Sequence, residues 1–119
     1  HPYEKWANYP TARKRLLRLI ESSKIKNPIL LSGDRHMAEL AKTTLPQATG
    51  VVYELTSSGL THSWSKGNQT EANQYRVGNL VPKRNFGLLK IDWDANPIQI
   101  TAEIRGLKNN LFLQQVLKF

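Results

Sequence analysis

The chain has 119 residues, room for one domain with a buried core. Its 17 basic and 9 acidic residues leave a net charge of +8, which favours anionic partners such as phosphate esters, nucleic acid or an acidic surface. The lack of cysteine excludes disulfides and thiolate sites within it, and no apolar run reaches transmembrane length.

The first residues, His1-Pro2-Tyr3, show neither Met nor a signal-peptide pattern, as a processed or truncated sequence would. Tyr3, Trp6, Tyr9 and two prolines predict an irregular entry, with Trp6 packed onto the body. A helix follows near Thr11 to Ser23, with Pro10 or Thr11 suited to its first positions. Ala12, Leu16, Leu19 and Ile20 share a face, with Leu17 at its edge, and Lys14, Arg15, Arg18 and Glu21 lie opposite. Arg13 falls within the apolar sector, either reaching out to water or contacting an anion.

After a short connection, Asn27-Pro28-Ile29-Leu30-Leu31-Ser32-Gly33-Asp34-Arg35-His36 carries an apolar run that reads as a buried strand. It stops at Ser32-Gly33 and is followed by a carboxylate, a guanidinium and an imidazole. In an extended backbone Asp34 and His36 would face one target, with Arg35 between them. The alternative is a helix cap at Asp34 with His36 exposed. Met37 to Leu45 fits a helical turn or an alternating strand. Pro46 to Gly50 is a loop, and Val51 to Thr56 is a second strand, β-branched and aromatic. That strand also ends in a Ser-Gly turn, Ser57-Ser58-Gly59, with His62 and Trp64 close behind. Ser65 to Arg84, rich in Gly, Asn and Pro, predicts a surface loop and a candidate rim or lid. The last third reads as a meander: Phe86 to Trp93, a turn at 94–97, Ile98 to Arg105, a turn at 106–110, and Leu111 to Phe119. In its middle strand Ile98, Ile100, Ala102 and Ile104 face one way, and Gln99, Thr101, Glu103 and Arg105 the other. No repeat or linker divides residues 1–119, which read as a single α/β unit.

A helix, a loop, an apolar strand and then a polar turn is an arrangement that gathers ligands at strand carboxyl ends, where Asp34, Arg35 and His36 stand. Carboxylate and imidazole suit iron, zinc, manganese or calcium. An adjacent arginine can neutralise a phosphoryl oxygen. His62 is a second candidate, or else a histidine satisfied under Trp64. Ser57 and Ser58 lack the Gly-x-Ser-x-Gly elbow of a serine nucleophile. Asp92 and Asp94 fit a hairpin turn. A two-metal site needs several protein ligands per ion, so any such site is incomplete here.

Trp6-Ala7-Asn8-Tyr9-Pro10 with Arg13 and Arg15-Leu16-Leu17 resembles the approach to the last metal motif of PhoD-like alkaline phosphatases. Leu31-Ser32-Gly33-Asp34-Arg35-His36, followed by Ala38-Glu39-Leu40, resembles the motif itself. Tyr53 to His62 resembles the segment after it, and Asn85-Phe86-Gly87 with the closing strands is similar to the family's C-terminal sheet. The resemblance covers nearly the whole chain and places it with the calcineurin-like metallophosphoesterases. It implies an α/β/β/α sandwich of two mixed sheets flanked by helices, of which this would be the C-terminal portion: one N-terminal helix, then mostly antiparallel or mixed strands. The implied activity is hydrolysis of phosphate mono- and diesters by metal-activated water, with Ca2+ and Fe3+ as the metals. Asp34 and His36 match the metal ligands of a Gly-Asp-x-His motif. Arg35, at its variable position beside phosphate, and His62, a recurrent residue, are the candidate catalytic groups. The family's N-terminal half, with its other ligands, has no counterpart here and is the implied partner. Inactivity in isolation and a periplasmic or secreted location follow as expectations.

The alternative from another class is a non-catalytic, basic module that binds nucleic acid or another polyanion. It would use Arg13, Lys14, Arg15 and Arg18 with the Trp and Tyr side chains, although no known nucleic-acid motif is present.

Overall fold

The periodicity between residues 11 and 23 does produce a helix, α1, Pro10–Ser22. Pro10 occupies the first turn, where its missing N–H costs nothing. At the other end the Ser22 and Ser23 hydroxyls donate to the Leu19 and Ile20 carbonyls and close the last turn. The structure is a computed structural model that describes residues 4–46, 50–64 and 71–118. Tyr3, Phe119, the centre of the 46–50 loop and residues 65–70 of the expected lid lie outside them. Of the apolar face of α1, Ile20 is buried, Leu16 and Leu17 are half-buried, and Leu19 is 62% exposed. Arg13 is exposed. Trp6 is not packed onto the body: it sits in a short 3-10 turn, Trp6–Asn8, and is 55% exposed. The reason is local, because α1 packs chiefly against that turn.

Among the described residues, seven strands make two sheets. The first holds β1 (Ile29–Ser32), β2 (Ala38–Thr44), β3 (Val51–Ser57) and β4 (Arg76–Val81), in the order β1-β3-β2-β4. β1 runs parallel to β3, and β2 runs antiparallel to both β3 and β4. The second sheet is the antiparallel meander β5 (Phe86–Asp92), β6 (Gln99–Arg105) and β7 (Leu111–Leu117). One helix followed by mixed and antiparallel strands is the expected α/β class. The ambiguous segment after Met37 is a strand, not a helical turn. β4 corrects the reading of residues 65–84 as loop throughout. Gly78 and Asn79 in its middle gave it a turn's composition, yet it pairs as an edge strand through a register shift at Ala38/Leu40.

The two sheets face each other across one core. Leu40, Tyr53, Leu55 and Val81 from the first meet Ala102, Ile104 and Leu117 from the second. Leu40 and Ile104 are fully buried, and each contributes about 1.5–3 kcal/mol by leaving water. The Tyr53 hydroxyl accepts the Lys118 N–H at 3.3 Å and joins the sheets at one end. Asp92 Oδ1 accepts the N–H groups of Asp94 and Ala95, so the β5–β6 connection is the expected aspartate turn. Among the described residues no helix is long and apolar enough to cross a membrane.

The alternation in β6 holds for Ile100, Ala102 and Ile104, which line the core. Its polar face is not simply solvated. Glu103 is only 1% exposed, held by the Lys90 ammonium at 2.7 Å and by the Arg105 guanidinium. The Arg105 hydrogen bond, then that of Lys90, outweigh burial and lower its pKa to about 2. A carboxylate depressed on folding stabilises the fold fully above its unfolded pKa, near 4.5, and loses that contribution as pH falls towards 2. Urea midpoints are therefore expected to fall between pH 4.5 and 2, and Glu103→Gln to flatten that acid limb. An unchanged limb in the variant would remove Glu103 as its source.

Candidate active site

The parallel pairing of β1 with β3 builds the site. Register places Ser32 beside Thr56, and Ala38 at the start of β2 beside Ser57. β3 lies between β1 and β2, so residues 33–37 must arch over the carboxyl end of β3. The two Ser-Gly turns, distant in sequence, thus become neighbours at one end of the sheet. Ligands gather at such carboxyl ends in α/β sheets.

Within the arch the backbone is not extended. Asp34 and His36 both adopt left-handed conformations, with φ of 67° and 53°. The strand-like alternation expected to aim them at one target does not apply, and no helix follows for Asp34 to cap. Asp and His are among the residues that tolerate this region best. The conformation is held by β3's own turn. The Ser58 hydroxyl accepts the His36 N–H at 3.0 Å, and the Ser58 N–H donates to the Met37 carbonyl at 3.2 Å. The Trp64 N–H donates to the His36 carbonyl at 3.0 Å. Ser58 thus supports the backbone of the arch.

That turn is itself clamped. Asn85, 2% exposed, accepts from the Ser57 hydroxyl at 2.9 Å and from the Gly59 N–H at 3.3 Å. Its amide donates to the Lys83 carbonyl at 2.7 Å. Gly59 must be glycine here, because a Cβ would come within 2.2 Å of Asn85 Nδ2.

Of the four candidate residues, the fold brings His36 and His62 together, with ring centroids 3.9 Å apart. Trp64 Nε1 donates to His36 Nδ1 at 2.8 Å. Asp34 is exposed on the same arch. Arg35 is already engaged: one guanidinium nitrogen lies 2.6 Å from Glu39 and another 2.5 Å from Glu71. Glu39, 4% exposed, also binds Arg76 at 2.7 Å, and Arg76 donates to the Glu71 carbonyl at 2.8 Å. Burial would raise the Glu39 carboxyl; the Arg76 and Arg35 guanidiniums outweigh it and hold its pKa below the usual carboxylate value. The arch is therefore anchored on one side by a two-arginine, two-carboxylate network and on the other by a histidine pair.

Sequence reasoning missed Arg76, Glu71 and the role of Glu39. The one available signal was the four-residue spacing of Arg35 and Glu39, which is not diagnostic where an arch meets a strand. Ser58 and Asn85 stand in segments that the sequence singles out, Ser57-Ser58-Gly59 and Asn85-Phe86-Gly87, but no local pattern shows that one supports the arch and the other clamps the turn.

The donors suit a metal by type but do not form a complete set. Among the described residues no three His, Cys, Asp or Glu side chains gather closely enough to hold an ion. His36 Nδ1 is moreover occupied by the indole. An open apolar cleft of about 410 Å³ is lined by Leu31, Ser32, Leu60, Phe86 and Leu89, among others. No titratable side chain lines it, whereas the arch carries Asp34, Arg35 and His36.

Comparison with known proteins bears on the family of the chain. No curated protein and no solved structure matches the chain. The family model described as PhoD-like phosphatase matches residues 2–102, a span that includes the arch, both histidines and the Asn85 clamp. The chain belongs to the PhoD-like phosphatase family.

Proposed function

We propose that this protein is part of a metal-dependent phosphoesterase that hydrolyses phosphate mono- and diesters, related to the calcineurin-like metallophosphoesterases. The observation that carries the reading is the meeting of two parallel strand ends, which brings His36 and His62 together beside Asp34 and Arg35 in a chain of a phosphatase family. Asp34 and His36 are the metal donors, and Ca2+ and Fe3+ are the ions that fit a carboxylate-and-imidazole set of the family's kind. When bound, such ions supply an activated water and neutralise charge on the phosphoryl group. The remaining donors come from polypeptide outside the described residues, the amino-terminal portion of the same enzyme. Without them the chain hydrolyses little or nothing. On the family resemblance, the protein itself is periplasmic or secreted.

Arg35 is positioned by Glu39, the more deeply buried of its two carboxylates. Reaching a phosphoryl oxygen requires it to release Glu71, whose side chain is the more accessible. His62, whose ring lies tilted against that of His36 with centroids 3.9 Å apart, limits the ring positions open to it.

The test is metal removal. With all donors present, chelation is expected to abolish hydrolysis of p-nitrophenyl phosphate and of its bis-ester, and calcium with iron to restore both. Hydrolysis that survives exhaustive chelation would remove metal dependence. The polyanion-binding alternative gains no support from the family match.

A further inference from the structure

We propose that α1 is a membrane-surface element, whose exposed apolar lane and flanking cations fit a bilayer that carries anionic lipid. The inference goes beyond the phosphoesterase reading and uses no residue of the arch. With 13 residues α1 is too short to cross a bilayer, but an amphipathic helix can lie along one. Ala12, Leu16 and Leu19 recur at helical spacing and form one lane. Ile20, at the edge of that lane, is turned into the protein, whereas Ala12 is exposed and Leu19 is 62% exposed. With Thr11 and Arg15 the lane lines a shallow, open hollow. Arg15 borders it on one side, and Arg13 lies beyond Ile20 on the other. Trp6 and Tyr9, directly before α1, are 55% and 56% exposed. Such rings, apolar in body and polar at one edge, suit the headgroup level.

Charge selects the occupant. In the sheets Arg35, Arg76, Lys90 and Arg105 each meet a carboxylate. On α1 Arg13, Lys14, Arg15 and Arg18 are exposed and make no salt bridge among the described residues, and Glu21 is the helix's single carboxylate. A protein laid over the lane has to pair these cations or strip them of water, which is costly. Nucleic acid matches the cations but gains little from Leu16 and Leu19. Anionic headgroups match them in a hydrated layer, while the long Arg and Lys stems let the leucines reach the acyl boundary. Arg13, the one cation within the apolar sector, then has a place: its stem lies along the lane and its guanidinium reaches up to lipid phosphate.

The test uses the protein with its amino-terminal portion present, and vesicles of phosphatidylcholine alone or mixed with phosphatidylglycerol. Cosedimentation is expected with the mixed vesicles and not with phosphatidylcholine alone, and it should weaken as salt is raised. Arg15→Glu combined with Arg18→Glu is expected to weaken partition at least about 25-fold, since each basic residue near such a surface is worth about fivefold. Leu19→Ser is expected to weaken it about 3- to 10-fold. Both variants should keep the parent's urea midpoint, because the side chains they change are exposed. No binding to the mixed vesicles, or equal binding to both kinds, overturns the proposal. So does attachment that Leu19→Ser leaves unchanged and that duplex DNA reproduces at equal affinity, which is bare charge without a lane. A Leu19→Cys thiol that resists maleimide in the native, lipid-free protein overturns it as well, because polypeptide then covers the lane.

Discussion

Replacing Glu39 with alanine is expected to lower stability by about 3 kcal/mol in urea unfolding. Glu39 is a buried carboxylate that binds two guanidiniums, Arg35 at 2.6 Å and Arg76 at 2.7 Å. Removing one partner from a buried pair leaves an uncompensated charge, which commonly costs about 3–5 kcal/mol. The lower end applies here because Glu71 remains beside both arginines, through its carboxylate to Arg35 and its carbonyl to Arg76. The pH dependence has a definite sign. The folded pKa of Glu39 lies below 4.5, so its contribution is present above that value and is lost as pH falls through the depressed one. Glu39→Ala should therefore cost most near neutrality and least in strong acid. A loss below about 1 kcal/mol at pH 7 would mean that these pairs behave as exposed ones do.

Asn85→Ala should cost about 2–3 kcal/mol and loosen the arch. Its side chain serves the Ser57 hydroxyl, the buried Gly59 N–H and the Lys83 carbonyl. Leaving a buried donor or acceptor unpaired costs about 1–3 kcal/mol, and water can re-pair only those that become exposed. The consequence reaches the site through Ser58, which lies between Ser57 and Gly59 and accepts the His36 N–H. Amide exchange at His36 should accelerate along with that at Gly59. A stability loss that leaves His36 protection unchanged would show that the arch is held without the clamp.

Much of this architecture was legible because its signals are local. The apolar runs at 29–31 and 51–55 mark strands, and a 3.6-residue period marks α1. What was not legible depends on neighbours remote in sequence. β4 was hidden because Gly78 and Asn79 read as a turn, and only pairing with β2 makes the segment a strand. The outward face of β6 was assigned correctly, but the burial of Glu103 there comes from cations on its own strand and on β5. Glu39 looked like one of many surface carboxylates until Arg76, thirty-seven positions away, closed over it. The histidine pair had a signal, since both strands end in Ser-Gly and a nearby histidine. The parallel β1–β3 register turned that repetition into a contact. Asp34 and His36 do stand together in the arch, but an extended backbone was the wrong geometry, because the crossing over β3 bends both into left-handed conformations.

The central claim is that the arch after β1 forms part of a phosphoesterase site. It is tested most directly by kcat/KM for p-nitrophenyl phosphate and its bis-ester, measured with the remaining donors present and with calcium and iron supplied. Asp34→Asn and His36→Ala are each expected to lower kcat/KM by at least about 10- to 100-fold, and Asp34→Asn to do so with the urea midpoint within error. Full activity in both variants would contradict the account.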